Sequence, residues 1–297
     1  DFEIIETFSP HLYFLSVFSL LLLLIIGQVT RGAIRWIPVA SITIQPSELV
    51  RPFLLLYLSR IVSAKEINIK RLAGIFATMF IPVFLILIQP SFGVAALTAI
   101  GFLGVLIGSG IEKKFFLKMA ALFLLATPLI WFLLQPYQKE RVTTFLNPSS
   151  DPTGRGYNSI QSMIAVGSGR FLGRGLGEGV QTQLKFLPEK HTDFIFAAVS
   201  EEMRLVGGVL VIICLFLIFY CLILRIEGED GKVARGYTTG VLFLLLAESV
   251  IHVGMNMGLF PITGVPLPFV SAGGSSLVGT SLLIAISLST KRRSLDL

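Results

Sequence analysis

Long runs of Leu, Ile, Val, Phe and Ala alternate along this chain with short stretches that carry most of its charge. Apolar runs of roughly 18 residues or more read as membrane-spanning helices, because a helix satisfies its own backbone inside hydrocarbon. Eight such spans are predicted. They fall at about 11–27, 47–62, 72–89, 92–110, 116–134, 205–224, 237–260 and 273–290. The second is interrupted by Glu48, Arg51 and Pro52, and the seventh by Glu248 and His252. The third and fourth meet at a Gln89-Pro90-Ser91-Phe92-Gly93 turn, where Pro and Gly break the apolar pattern.

The stretch from about 135 to 204 breaks this rhythm. Structureless loops beyond about 15 residues are uncommon and usually functional. This one holds eight of the 28 glycines, with eight basic and seven acidic residues. That mixture is not a low-complexity spacer. Within it Tyr157, Ile160, Met163 and Ile164 recur at helical spacing, which predicts an amphipathic helix on or dipping into a membrane surface. The predicted architecture is all-α: a polytopic transmembrane helical bundle, one membrane domain over 1–297, with a single long extracytoplasmic loop.

Composition agrees. The chain is 54% hydrophobic and 14% charged, with a mean hydropathy of +0.81, where a soluble domain carries about 25% charged residues. A net charge of +6 raises nucleic-acid binding. The basic residues, however, sit between apolar runs and form no stripe with interleaved aromatics, so no nucleic-acid partner is expected. They set orientation instead. Short connections bearing Arg60, Lys65, Lys70 and Arg71, then Lys113, Lys114 and Lys118, then Arg225, Lys232 and Arg235, then the tail Lys291-Arg292-Arg293, alternate with the eight spans. By the positive-inside rule these face the cytoplasm, as do both termini, and the long loop lies outside. Cys214 and Cys221 lie about 10 Å apart along one helix, too far for a disulfide, and are expected as packing residues. No signal peptide is legible, and the abrupt start at Asp1 is expected of a trimmed piece of a longer protein.

Walker, dinucleotide and Gly-x-Ser-x-Gly signatures are absent, and His11, His191 and His252 lack metal-ligand spacing. Three polar clusters remain. The loop ends in Leu187-Pro188-Glu189-Lys190-His191-Thr192-Asp193-Phe194, followed by Ser200-Glu201-Glu202. Asp193 precedes an apolar run, where partial desolvation would make its carboxylate a better base. Equally, Asp193 or Thr192 would N-cap the next helix, and spacing leaves both readings open. A second cluster contains Arg35-Trp36, Gln45-Pro46-Ser47-Glu48 and Arg51. Glu48 and Arg51 would pair on one helical face, for function or for structure alone. Glu248 and His252 face the same choice, and there structure is favoured. The third cluster runs from Gly264-Val265-Pro266-Leu267-Pro268 to Ser275-Ser276. Broken backbone at membrane depth needs protein or a watery cavity to satisfy it, as in an enzyme or a transporter.

Together these strings resemble the SEDS family of cell-wall polymerases, the RodA/FtsW group of bacteria, over essentially the whole chain. The carrying motifs are Arg35-Trp36 with Gln45-Pro46-Ser47-Glu48, and Phe145-Leu146-Asn147-Pro148 with Asp151-Pro152. To these are added Gly156-Tyr157-Asn158-Ser159-Ile160-Gln161-Ser162, Leu187 to Phe196, and Pro266-Leu267-Pro268-Phe269-Val270-Ser271. Tyr157-Asn158 and Gln181-Thr182-Gln183-Leu184 lean towards the RodA, elongation branch. The family has ten spans, so the chain looks like one lacking the first two.

The resemblance implies a peptidoglycan glycosyltransferase of the bacterial cytoplasmic (inner) membrane. It would polymerise lipid II, a disaccharide-pentapeptide on undecaprenyl diphosphate. Asp193 matches the family's essential aspartate and is the expected general base of an inverting transfer. Arg35, Glu48, Arg51, Glu189, His191, Glu201, Glu202 and Ser275 are the candidate substrate-binding residues. Arg35 and Arg51 are aimed at the leaving diphosphate and Glu48 orients Arg51. No cofactor is called for, and a divalent cation is a second candidate for the diphosphate, with no ligand set legible. The implied partners are a class B penicillin-binding protein transpeptidase and membrane proteins of the elongation complex. Departures are Ser91 where the family has Asp, Arg51 for Lys, Arg170 and Arg204 for Gly, and Ala272 for an aromatic. A lipid II flippase, a catalytically weakened scaffold and the division paralogue stand as alternatives.

Overall fold

A computed structural model describes residues 1–30, 33–39, 42–64, 69–110, 136–151, 154, 156–168, 178–184 and 186–290. Apolar runs become helices. The predicted spans correspond to α1 (Phe2–Ile26), α2 (Pro46–Ser63), α3 (Ile69–Ile88), α4 (Phe92–Gly108), α9 (Arg204–Glu227), α10 (Lys232–Asn256) and α11 (Gly274–Leu288). The span predicted at 116–134 lies outside the described residues. Three of these helices are long and apolar enough to cross a membrane: α1, Val206–Glu227 of α9, and α10. Along α9, Val206, Leu210, Ile213, Phe216, Leu217 and Tyr220 are exposed, as a helix face in contact with lipid tails would be. Cys214 and Cys221, expected as packing residues, are exposed on that same helix.

The described part of the long polar stretch contains short helices. It carries α5 (Pro136–Leu146), α6 (Tyr157–Ser168), the short α7 (Val180–Gln183) and α8 (Ile195–Glu202). The predicted helix through Tyr157 is α6, but its buried residues are Ser162 and Ala165. Ile164, on the predicted apolar stripe, is exposed.

The chain divides into two compact units, 1–111 with 218–247 and 273–297, and 112–217 with 248–272. In the first unit α2 is central, packing against α1, α3, α4 and α11. Its Leu54, Leu55, Leu56 and Leu58 are all fully buried. Between α1 and α2 lie three short strands that periodicity did not predict: β1 (Gln28–Thr30), β2 (Ala33–Val39) and β3 (Ile42–Ile44). They form an antiparallel sheet in the order β1-β2-β3, with Ile37 opposite Ile44 and a register shift between Gln28 and Val29.

Proline inside a helix deprives the carbonyl four residues earlier of its partner. Here those carbonyls are used. Arg60 Nη1 donates to Glu6 O (2.7 Å) and Thr7 O (2.9 Å), beside Pro10 of α1. Tyr13 donates its hydroxyl to Thr78 O (3.2 Å), the carbonyl freed by Pro82 of α3. Helix α1 therefore runs on through Pro10 to Phe2, well before the predicted start at 11.

Glycines set a close helix contact between α4 and α10 in this unit. A Cβ on Gly104 of α4 would lie 2.9 Å from Thr239 O, and one on Gly240 of α10 would lie 3.0 Å from Gly101 O. Small residues at this spacing let two helix backbones approach, which is how helices associate where no hydrophobic effect separates protein from lipid.

In the second unit α6 packs on α7 and α8, and α7 on α8. Ala165, Leu187, Phe194 and Ala197 form a small apolar core, joined by the half-buried Val166 and Ile262.

Candidate active site

Asp193 sits in the second unit, half-buried at the end of a turn that leads into α8. The turn winds about one carbonyl: the N–H groups of Thr192 and Phe194 both donate to Glu189 O, at 3.1 and 3.3 Å. Glu189 itself has φ +57°, a left-handed backbone that non-glycine residues adopt at a cost of about 1–3 kcal/mol. Leu187 and Phe194 are buried at either end and fix the turn to the apolar core beneath.

Three successive carbonyls of this turn are then tied down from outside it. His191 O accepts the Ala272 N–H (2.9 Å). Thr192 O accepts the Ser271 hydroxyl (2.9 Å), and Ser271 Oγ in turn accepts the Leu267 N–H (2.8 Å). Asp193 O accepts the Asn256 side-chain amide (3.0 Å). The Asp193 carboxylate lies against Gly264, whose backbone has φ +69° and where an added Cβ would stand 3.7 Å from Oδ2. The Pro- and Gly-rich segment of the third sequence cluster is thus the wall beside Asp193. It carries a second left-handed non-glycine residue, Phe269 (φ +60°).

Asn256 closes α10 and is 0% exposed. Its Nδ2 also donates to His252 O (2.8 Å). Its Oδ1 accepts the Ala197 N–H (3.1 Å) and the Ser162 hydroxyl at the longer distance of 3.5 Å. The Ser162 hydroxyl donates at 2.9 Å to the Asn256 backbone carbonyl. His252 Nδ1 lies 2.7 Å from Val265 O, so α10 also holds the wall segment. This agrees with the structural reading favoured for His252.

Glu201 and Glu202 serve the strap that precedes the turn. Glu201 is fully buried, and its two oxygens accept the N–H groups of Gln181 (2.9 Å) and Thr182 (3.0 Å) at the start of α7. Glu202 Oε1 accepts the Thr182 hydroxyl (2.9 Å) and the Gln183 amide (3.1 Å). Thr182 O then accepts Lys190 Nζ (2.9 Å), and Gln181 O accepts the Leu187 N–H (3.1 Å). Each carboxylate therefore holds protein backbone or side chains. Glu189 and His191 are exposed on the turn. Thr192 Oγ1 bonds Glu189 O (3.3 Å) and Glu189 Oε2 (3.2 Å). Helix α8 starts after Phe194 with no side-chain cap, so capping does not account for Asp193 or Thr192.

The remaining candidates belong to the first unit. Glu48 and Arg51 on α2 form an ion pair, at 2% and 0% exposure. The backbone of Glu48 is packed closely too, since a Cβ on Gly279 would lie 2.5 Å from Glu48 O. Ser275, at the start of α11, accepts the Gln45 N–H (2.9 Å) just before α2. Arg35 lies on β2, described in its backbone only. Ser91 precedes α4, buried and without a side-chain cap bond. Arg170 lies outside the described residues. Among the described residues, no group of three or more His, Cys, Asp or Glu side chains gathers to hold a metal ion.

Two contributors at this site escaped the candidate residues read from the sequence. Asn256 closes an apolar run and resembles a helix end, while Ser271 was quoted only within its motif. Their signal lay in side-chain partners 63 and 79 residues away in sequence.

Long apolar helices, together with a folded polar segment carrying a pinned carboxylate, define an integral membrane protein. The chain belongs to the FtsW/RodA/SpoVE family, described as cell cycle proteins, which matches residues 1–295. It is 35% identical to the peptidoglycan glycosyltransferase MrdB of Escherichia coli K12, covering 99% of this chain and 81% of that one. It is 36% identical to a probable peptidoglycan glycosyltransferase FtsW of Buchnera aphidicola, covering 92% and 73%. A solved structure described as a peptidoglycan synthase complex coordinating polymerization and crosslinking superposes with a TM-score of 0.80 at 30% identity. That match covers 96% of this chain and 81% of the other. The rod shape determining protein RodA of Thermus thermophilus has the same fold, with a TM-score of 0.70 at 24% identity over 96% and 78%.

Proposed function

We propose that this chain is a peptidoglycan glycosyltransferase that polymerises lipid II, with Asp193 as general base. The observation that carries the reading is the placement of Asp193. It is a half-buried carboxylate on a turn fixed to the wall segment and to α10, in a chain of a family whose relatives bear that activity's name. Relatives of the MrdB and FtsW branches are 35% and 36% identical, so the proposal concerns the activity both names share.

The acceptor sugar's 4-hydroxyl oxygen attacks the donor's anomeric carbon as its proton passes to the Asp193 carboxylate. The anomeric carbon–oxygen bond to the diphosphate breaks, and the diphosphate leaves with the bonding pair. A base must come within about 2.6–3.2 Å of the hydroxyl it deprotonates, which the half-exposed position of Asp193 permits. The leaving diphosphate requires positive charge to stabilise it. Glu201 and Glu202 hold the strap that carries the turn. The lipid tail of the substrate places the reaction at the outer face of the cytoplasmic membrane, in keeping with the charge pattern of the short connections. The partner is a class B penicillin-binding protein, in keeping with the complex that resembles this chain.

The test uses full-length protein with that transpeptidase, its crosslinking blocked by a β-lactam, and fluorescent lipid II. Glycan strands are expected. Lipid II crossing the bilayer without any strand formation would replace this reading with transport.

A further inference from the structure

We infer that Asn256 and Ser271 are positioning residues that set the place of Asp193 through its backbone. The inference rests on Asp193 being the base. Polar side chains buried in a small core are commonly there for stability, bonding whichever helix end is near. These two do something more directed. Asn256 Nδ2 donates to the carbonyl of Asp193 itself, and the Ser271 hydroxyl to that of Thr192. With the Ala272 N–H on His191 O, three consecutive peptide groups up to Asp193 are fixed from outside the turn.

Both donors of the amide are used. An asparagine side chain offers two donors and two acceptor sites, and Asn256 donates to Asp193 O and His252 O while its oxygen accepts the Ala197 N–H. One side chain thereby joins α10, the first turn of α8 and the Asp193 peptide, and the Asn256 backbone carbonyl adds α6 through Ser162. The two segments that meet here each hold a residue with left-handed backbone, Glu189 and Phe269. Such conformations persist only where the surroundings over-determine them, and they concentrate at functional sites. Asn256 is wholly buried, so it acts on the reaction only through what it holds.

Loss of either tie lets the Asp193 peptide relax. A displacement of about 1 Å can cost on the order of 100-fold in rate. The loss should fall on kcat, with KM for lipid II unchanged, because no substrate contact is removed.

The experiment measures lipid II polymerisation by the full-length protein with its transpeptidase partner. It compares native protein with Asp193→Ala, Asn256→Ala, Asn256→Asp, Ser271→Ala and Ser271→Thr, each checked for folding by melting and gel filtration. Asn256→Asp keeps the acceptor for Ala197 and loses both donated bonds. Ser271→Thr keeps the hydroxyl. The expected result is a kcat lowered by about 10- to 100-fold in both Asn256 variants and in Ser271→Ala, at native KM, with Ser271→Thr near the native rate. Should Asn256→Ala fail to fold, Asn256→Asp and the Ser271 pair carry the test. Native rates in the folded variants beside an inactive Asp193→Ala would overturn the inference and leave the base assignment standing. A raised KM at native kcat would also overturn it, as would Ser271→Thr as slow as Ser271→Ala. An active Asp193→Ala would instead remove the reading on which the inference rests.

Discussion

Glu48 and Arg51 place two opposite charges, three residues apart, inside the helix at the centre of the first unit. Breaking such a pair from one side is costly, because the remaining charge stays buried without its counter-ion. Arg51→Ala is expected to lose roughly 3–5 kcal/mol of stability, and Glu48→Leu with Arg51→Met together less than either alone. Thermal melting of purified protein in detergent measures both. Glu229, between α9 and α10, is buried with its carboxylate on the Thr290 hydroxyl and 3.7 Å from Arg225 Nε. Burial raises its pKa above the ordinary 4.5, and Thr290, Arg225 and Arg235 pull it back only in part. A carboxyl raised on folding contributes stability that is fully present below its unfolded pKa. That contribution is lost as pH rises through the folded value. Glu229→Gln should therefore flatten part of the fall in melting temperature as pH rises above about 4.5, and an unchanged profile would contradict it. At this scale the sequence marked the polar clusters, because charge within apolar runs is conspicuous. It did not reveal Asn256, whose significance lies entirely in partners distant along the chain.

Apolar runs predicted the spanning helices well, because hydropathy alone governs whether a segment is stable in lipid. What they missed depends on three-dimensional partners. Helix α1 extends past Pro10 because Arg60, more than 50 residues away, takes the carbonyls that would otherwise stop it. Strands β1 to β3 are short and paired only with each other, so no periodicity announced them. On α6 the polar Ser162 holds the helix to Asn256, a contact that the apolar stripe does not announce. The same dependence on close contact gives a test in the first unit. Gly104 and Gly240 leave no room for a side chain between α4 and α10. Gly240→Leu should destabilise the protein by about 1–3 kcal/mol or more. Gly74, where an added Cβ meets nothing within 4 Å, should accept alanine with little change in melting temperature.

The whole molecule is a membrane bundle carrying a folded polar segment, and that segment was visible in sequence as the part too long and too mixed in charge to be a connector. Of its helices the one through Tyr157 was visible, while the shorter ones are held in part by Glu201, Glu202 and Asn256, partners that no periodicity announces. Asp193 is the group proposed to turn this scaffold into a polymerase. The most direct measurement is the rate of glycan strand formation from lipid II by full-length protein with its transpeptidase partner, native against Asp193→Asn. The variant keeps the size of the side chain and removes the base. The account predicts a folded protein that still binds lipid II and polymerises it at least about 100-fold more slowly, the lower end of what a general base contributes. A folded Asp193→Asn polymerising at close to the native rate would contradict it.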